Sequence, residues 1–256
     1  TGENLSVVAT RSRSQHKTQF GPNFGAAGGG GFGTGGGGSA TFNLIAGEPS
    51  DGDLLGGLDT TFARFPGGAE VAQLTADALA KFSADDPAAS VPALLAVRAK
   101  LASLPTDPVL ADKRAQLDRI LSACLGLKVE TTVANAEAVP GETLALRHTA
   151  ALTAKEPIAL LSVRYPLTGA VEKTDAKLAP GEAFQRNATA LLPAGARISQ
   201  PYWLREEASP GLFRVDESKL IGHAENPPAF PVEFVFSLGG QTFVVATEPV
   251  QLVAGA

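Results

Sequence analysis

The chain has 256 residues, a formal net charge of −5 from 21 Lys+Arg against 26 Asp+Glu, 44% hydrophobic residues and 18% charged residues. That composition is globular and excludes wholesale disorder, and the acidic balance argues against general nucleic-acid affinity. No run approaches the ~18 consecutive apolar residues of a membrane-spanning helix, no signal-peptide pattern opens the chain, and a single cysteine, Cys124, excludes an internal disulfide.

The sequence starts at Thr1 and holds no methionine, so the expectation is a processed chain or a segment of a longer one. Residues 1–20 are polar and locally basic. Leu5 and Val8 sit at helical spacing and Arg11, Arg13 and Lys17 follow. This predicts a short helix ending near His16, with its cations toward the end where the helix dipole favours them. Residues 21–50 are read as a glycine-rich loop or linker, because glycine has much backbone entropy to lose and no side chain to bury. Gly31, Gly33 and Gly36 satisfy G-x-G-x-x-G. A dinucleotide fingerprint also needs a strand before it and a helix after it, and neither is predicted here.

Residues 51–126 are read as a segment of three helices. Val71, Leu74, Ala78, Leu79 and Phe82 recur at three- and four-residue steps and define the first. Asp86-Pro87 breaks it. Ser90 is the expected cap of the second, with Pro92 in its first turn and Leu94, Leu95, Val97 and Leu101 along it. Asp107-Pro108 opens the third, with Asp as N-cap and Pro at the first helical position. Its stripe is Leu110, Leu117, Ile120, Leu121, Cys124 and Leu125, and Gly126 is the stop. Cys124 in that stripe reads as a small core residue, since no basic group flanks it.

From Leu127 the hydrophobic period falls from 3.6 to 2. Strands are predicted over 127–134, 144–152, 158–165, 183–192, 231–238 and 241–246. Pro140-Gly141 and Pro180-Gly181 are turns, and Gly239-Gly240 is a two-residue hairpin signal. Residues 193–228 carry no strand pattern. The fold class expected is α+β, a small three-helix segment followed over 127–256 by an immunoglobulin-like antiparallel β-sandwich.

Five segments, in order, resemble one family. Arg11-Ser-Arg-Ser-Gln-His-Lys-Thr-Gln-Phe-Gly21 resembles the stretch that closes the catalytic domain of long bacterial PIG-L/LmbE-like deacetylases. Leu58-Asp-Thr-Thr-Phe-Ala-Arg-Phe-Pro-Gly-Gly68 resembles the entry to their helical region. Ser199-Gln-Pro-Tyr-Trp-Leu-Arg205, Phe213-Arg-Val-Asp216 with Leu220-Ile-Gly222, and Glu225-Asn-Pro-Pro-Ala229 resemble their following β-domain. The resemblance implies a parent enzyme that removes N-acetyl groups from amino sugars with a divalent metal, usually zinc. It also implies a periplasmic or secreted location. The family's Ala-His-Pro-Asp-Asp metal motif does not occur in these residues, and His16, His148 and His223 are far apart. No catalytic residue, metal ligand or cofactor is therefore assigned to this segment, and zinc is expected in the parent catalytic domain. The expected function is accessory, packing on that missing N-terminal domain and shaping the approach to its site.

Two clusters are candidate binding residues. Arg11, Arg13, His16 and Lys17 offer donors for an anionic or hydroxylated substrate group beside the implied active site. The alternative is a helix C-terminus with solvated cations. Tyr202, Trp203 and Arg205 suit stacking on a sugar, so a carbohydrate-binding module for an N-acetylated sugar or glycan is the alternative function. The competing reading makes Tyr202 and Trp203 an aromatic plug that pins residues 193–228 to the sheets. His148 shares strand parity with Leu144, Leu146, Ala150 and Leu152, which predicts a hydrogen-bonded histidine facing the sandwich interior or its edge. In an intact parent enzyme, Arg13→Ala is expected to raise KM. Steady-state kinetics checks this, and unchanged constants would remove the cluster from the substrate path.

Overall fold

The computed structural model describes residues 4–15, 43, 45–47 and 56–252. It divides into two units, Thr1–Leu58 and Asp59–Ala256. Within the first unit one helix is described, α1 (Leu5–Ser14). The Val7 and Val8 amides in its first turn donate to the Asn4 carbonyl. The glycine tract at residues 25–38 lies outside the described residues.

The second unit opens with helices and continues as sheets, which makes it α+β. Its helices are α2 (Glu70–Ala80), α3 (Val91–Ser103) and α4 (Pro108–Leu125). Asp107 caps α4 as its sequence predicts, accepting from the Val109 and Leu110 amides at 2.8 and 3.3 Å. At the other end Gly126 takes φ 59°, and the Gly126 and Leu127 amides return to Ala123 and Ser122. That pair of bonds is a Schellman stop. A methyl on Gly126 would lie 2.7 Å from Thr153 Cβ, so both the backbone and the space there call for glycine.

Three expectations for the helices fail for geometric reasons. Ser90 does not cap α3. It is already in helical conformation at the end of a 3-10 turn, Pro87–Ser90, and its Oγ donates to the Pro87 carbonyl at 2.7 Å. Leu79 and Phe82 are exposed. Leu79 is about 100° round the helix from buried Ala78, and Phe82 lies past the last turn of α2. Ile120 is exposed because it sits to one side of the face carried by Leu117 and Leu121.

Eight strands follow: β1 (Lys128–Val133), β2 (Thr143–Ala151), β3 (Ile158–Tyr165), β4 (Ala170–Leu178), β5 (Phe184–Leu191), β6 (Val232–Leu238), β7 (Gln241–Thr247) and β8 (Val250–Gln251). They form two four-stranded sheets, ordered β5-β2-β1-β8 and β4-β3-β6-β7. All pairings are antiparallel except β1 with β8. Strands β4 and β8 go beyond the sequence expectation. β4 is an edge strand, and its half-buried positions are Glu172, Thr174 and Ala176. Alternation built from such residues carries almost no hydrophobic signal.

The two sheets share one core, in which Leu146, Ala150, Leu160, Val163, Tyr165, Phe234, Phe236 and Phe243 are buried. Val91, Leu121 and Leu125 of the helical segment enter the same core. A second core, among the helices, holds Val71, Val97, Leu101, Leu110 and Leu117. Helix α3 is the wall between them. Leu94 packs against both cores, which explains why α3 is apolar on more than one face.

Polar clamps fix this wall. The Arg98 guanidinium grips both carboxylate oxygens of Asp118 at 2.6 and 3.3 Å, and also donates to Gln241 Oε1 and the Thr242 carbonyl. Gln241 Nε2 donates back to the Leu95 carbonyl at 2.9 Å. Arg114 closes the far end of α3 by donating to the Leu101 and Leu104 carbonyls. The β6–β7 turn has φ 55° at Gly239 and 77° at Gly240, and a methyl on Gly239 would meet Leu95 Cδ1 at 2.7 Å. Arg98→Ala would leave Asp118 and the Thr242 carbonyl without their partner. The expected loss is about 2–3 kcal/mol, the scale of hydrogen bonds to a charged group. Urea denaturation checks it, and a loss below ~0.5 kcal/mol would mean that the apolar contacts alone hold helices and sheets together.

Candidate functional site

The one buried titratable cluster among the described residues runs between the two sheets. The β1–β2 register sets Thr131 opposite His148, with both side chains turned inward and fully buried. Thr131 Oγ1 and His148 Nδ1 are 2.9 Å apart. His148 Nε2 lies 2.8 Å from the Tyr165 hydroxyl, which donates to Glu172 Oε1 at 3.0 Å. Arg186 Nε stands 3.6 Å from Glu172 Oε2. Thr131, His148 and Arg186 belong to one sheet, and Tyr165 and Glu172 to the other.

Proton counting sets the direction of this chain. The carboxylate only accepts, so the single tyrosine proton goes to it. The tyrosine oxygen is then an acceptor for Nε2–H, and Nδ1 accepts from the threonine hydroxyl. His148 is neutral in this arrangement. Burial holds its pKa below the ordinary value, Glu172 pulls the other way, and Arg186 adds to the depression. Burial also pushes the Tyr165 hydroxyl well above the usual phenol range, assisted by its hydrogen bond to Glu172 and that carboxylate's charge. The rings are seated too. Phe234 meets His148 edge-on at 5.6 Å between centroids, and Phe230 is 6.1 Å from Tyr165. Each nitrogen of His148 is committed, and neither reaches solvent.

The sequence candidates lie elsewhere. Arg11 is an exposed residue of α1, and the backbone of Arg13 is in the same helix. His16 and Lys17 lie outside the described residues. Tyr202 opens a short 3-10 turn, Tyr202–Leu204, and is buried. Its amide donates to Asn226 Oδ1, and its hydroxyl donates to the His223 carbonyl and accepts from the Gly222 amide, both at 3.2 Å. Asn226 Nδ2 reaches the Gln200 carbonyl at 2.7 Å. Trp203 is half-buried and stands edge-on to Tyr202 at 4.9 Å. Arg205 faces Asp216 at 3.6 Å and Glu217 at 3.5 Å. Asp216 also accepts from Arg197, a bond that lowers the aspartate pKa. Cys124 packs against the main core, with Ser90 Oγ 3.7 Å from its sulfur.

Sequence parity located His148 but not its partners. A usable signal was Tyr165, a hydroxyl at an inward position of β3 that needs a partner. Among the described residues no three His, Cys, Asp or Glu side chains gather as a metal donor set. No helix among them is long and apolar enough to cross a membrane.

No family model and no curated protein matches the chain. A solved structure similar in part is Spo0M, a sporulation control protein from Bacillus subtilis, at 14% identity and a TM-score of 0.25. The match covers 50% of this chain and 49% of that one, and at this TM-score it carries no argument.

The depressed His148 pKa has a signed consequence. Between the folded value and the ordinary 6.5, the unfolded chain takes up a proton that the folded one refuses. Stability is therefore complete above pH 6.5 and falls as the pH drops below it. Tyr165 acts at the other end, its contribution being lost as the pH rises above 10.0. Melting curves between about pH 5 and pH 8 should show the acid slope, and His148→Gln should flatten it. An unchanged slope in that variant would assign it to other groups.

Proposed function

We propose that this chain is the accessory, structural portion of a PIG-L/LmbE-like metal-dependent N-deacetylase, its work being to pack on and shape the catalytic domain. The observation that carries the reading is the closure of the Thr131–His148–Tyr165–Glu172 chain. The residues best suited to acid–base chemistry spend their hydrogen bonds on one another, inside the core. The clamp at Arg98 supports it as well, since it ties helices and sheets into a rigid body suited to being packed against. Metal-bound water would attack the acetyl carbonyl in the parent catalytic domain.

The finer fold reading is an immunoglobulin-like sandwich. Its support is the strand order, with β1, β2 and β5 in one sheet, β3, β6 and β7 in the other, and β1 running parallel to the strand that follows β7. A second function, a carbohydrate-binding module, is favoured by the part of the Trp203 indole that stays at the surface. Against it, the Tyr202 hydroxyl is already engaged by the loop.

Zinc analysis of the 256-residue chain should find no stoichiometric metal, and assays on N-acetylglucosamine derivatives should find no acetate release. Placed after a PIG-L/LmbE-like catalytic domain, the chain should raise that domain's Tm by at least about 2–4 °C, the effect of ~1 kcal/mol in a protein of this size. Turnover with bound zinc would overturn the accessory reading, and an unchanged Tm would remove the packing role. A Trp203 fluorescence change on adding N-acetylglucosamine oligomers would favour the carbohydrate reading.

A further inference from the structure

The outer face of the β2–β5 pair carries a recess of about 330 Å³ lined by Arg147, Gln185, Arg186 and Asn187. Arg147 and Asn187 are directly opposite in the register, and Gln185 follows two residues before Asn187 on the same face. Arg186 also borders the recess, although its parity is opposite and its guanidinium reaches Glu172, Lys173 and Thr174 of the facing sheet.

Arg147 is the group in this recess with uncommitted donors. Among the described residues it has no carboxylate within ion-pair distance, a state it shares with Arg64, Arg114, Arg119 and Arg214, and of these it alone lines the recess. Its one protein partner there is Gln185, whose Oε1 accepts from Nη2 at 2.7 Å. That bond holds the guanidinium in place and leaves most of its five N–H donors for a ligand. Arg186, by contrast, spends its guanidinium on the facing sheet, donating to the Lys173 carbonyl at 3.0 Å and Thr174 Oγ1 at 3.2 Å. Arg147 is thus the cation positioned before anything binds, which lowers the ordering cost of binding.

The lining selects the ligand by elimination. A polar lining gives an apolar molecule little to pack against, and the Arg147 guanidinium repels a cation. Glu172 offsets Arg186, so Arg147 leaves a net positive site on a chain whose net charge is −5. An oxyanion suits the free fork of Arg147. The amides of Asn187 and Gln185 each supply donors, and the Asn187 carbonyl an acceptor, which matches hydroxyl groups carried beside the anion. The volume falls at the small end of small-molecule sites. We propose that this recess binds an acidic saccharide, its carboxylate or phosphate on Arg147 and its hydroxyls on Asn187 and Gln185. The site stands independently of the accessory reading.

Calorimetric titration of the full chain at low ionic strength tests it, with D-glucuronate, glucose 6-phosphate, glucose and inorganic phosphate as probes. At least one acidic sugar should bind about tenfold or more tightly than glucose and than inorganic phosphate. Arg147→Gln should lose at least ~tenfold of that affinity. Asn187→Asp, which sets a carboxylate opposite Arg147, should abolish it. Both side chains are exposed, and circular dichroism checks that the variants fold. Undetectable binding, or equal binding by glucose, would overturn the site. So would unchanged affinity in folded Arg147→Gln and Asn187→Asp. Inorganic phosphate binding as tightly as either sugar would overturn the saccharide assignment. Glucuronate binding without glucose 6-phosphate would assign the anion as a carboxylate, and the reverse as a phosphate.

Discussion

A neutral imidazole sealed between two sheets imposes a strict condition on everything around it. His148 needs a donor at one nitrogen and an acceptor at the other, and solvent supplies neither. Leaving one nitrogen unmatched would cost about 1–3 kcal/mol, a sizeable share of a domain's stability. Thr131 and Tyr165 meet the need from neighbouring and facing strands. The condition also fixes register. A one-residue slip of β2 against β1 would turn His148 outward and bring Arg147 into the core. The facing sheet is tied by the same chain, since Tyr165 must reach His148 while giving its proton to Glu172.

The helical segment depends on a different logic. α3 lies between the sheet core and the helix core and keeps only a narrow solvent face, at Pro92, Ala96, Ala99 and Ser103. Its polar groups are therefore spent on fastening. Arg98 reaches α4 and β7 together, and Arg114 of α4 covers the last carbonyls of α3, where a cation is also favoured by the dipole. Gly239 lets the β6–β7 turn come against Leu95. The helices and sheets described over residues 59–252 are consequently fastened into one unit.

The arginines separate structure from candidate function. Arg98, Arg114 and Arg186 have their donors spent on carboxylates, carbonyls or hydroxyls of the fold. Arg147 is oriented by a neutral amide and keeps most of its donors. Similarly, Tyr202 is consumed in pinning residues 200–226 together, while its neighbour Trp203 retains some surface. The ability to bind something outside the chain follows from what the fold leaves uncommitted, more than from residue type.

The sequence by itself determined the succession of helices and then strands, the Asp107 start and Gly126 stop of α4, the Gly239-Gly240 hairpin, and the inward parity of His148. Each rests on local chemistry: a capping oxygen, a left-handed glycine, a period of 3.6 or 2. Tertiary structure decided the rest. β4 is a strand because β3 offers it a partner, although five of its nine residues are polar and its apolar ones do not alternate. Ser90 is no cap, because the chain already enters α3 through a 3-10 turn. Tyr165, Glu172 and Arg186 join His148, and Arg147 meets Asn187 and Gln185, only when strands distant in sequence are set side by side. Those pairings depend on sheet order and register, which are global quantities that no local period encodes.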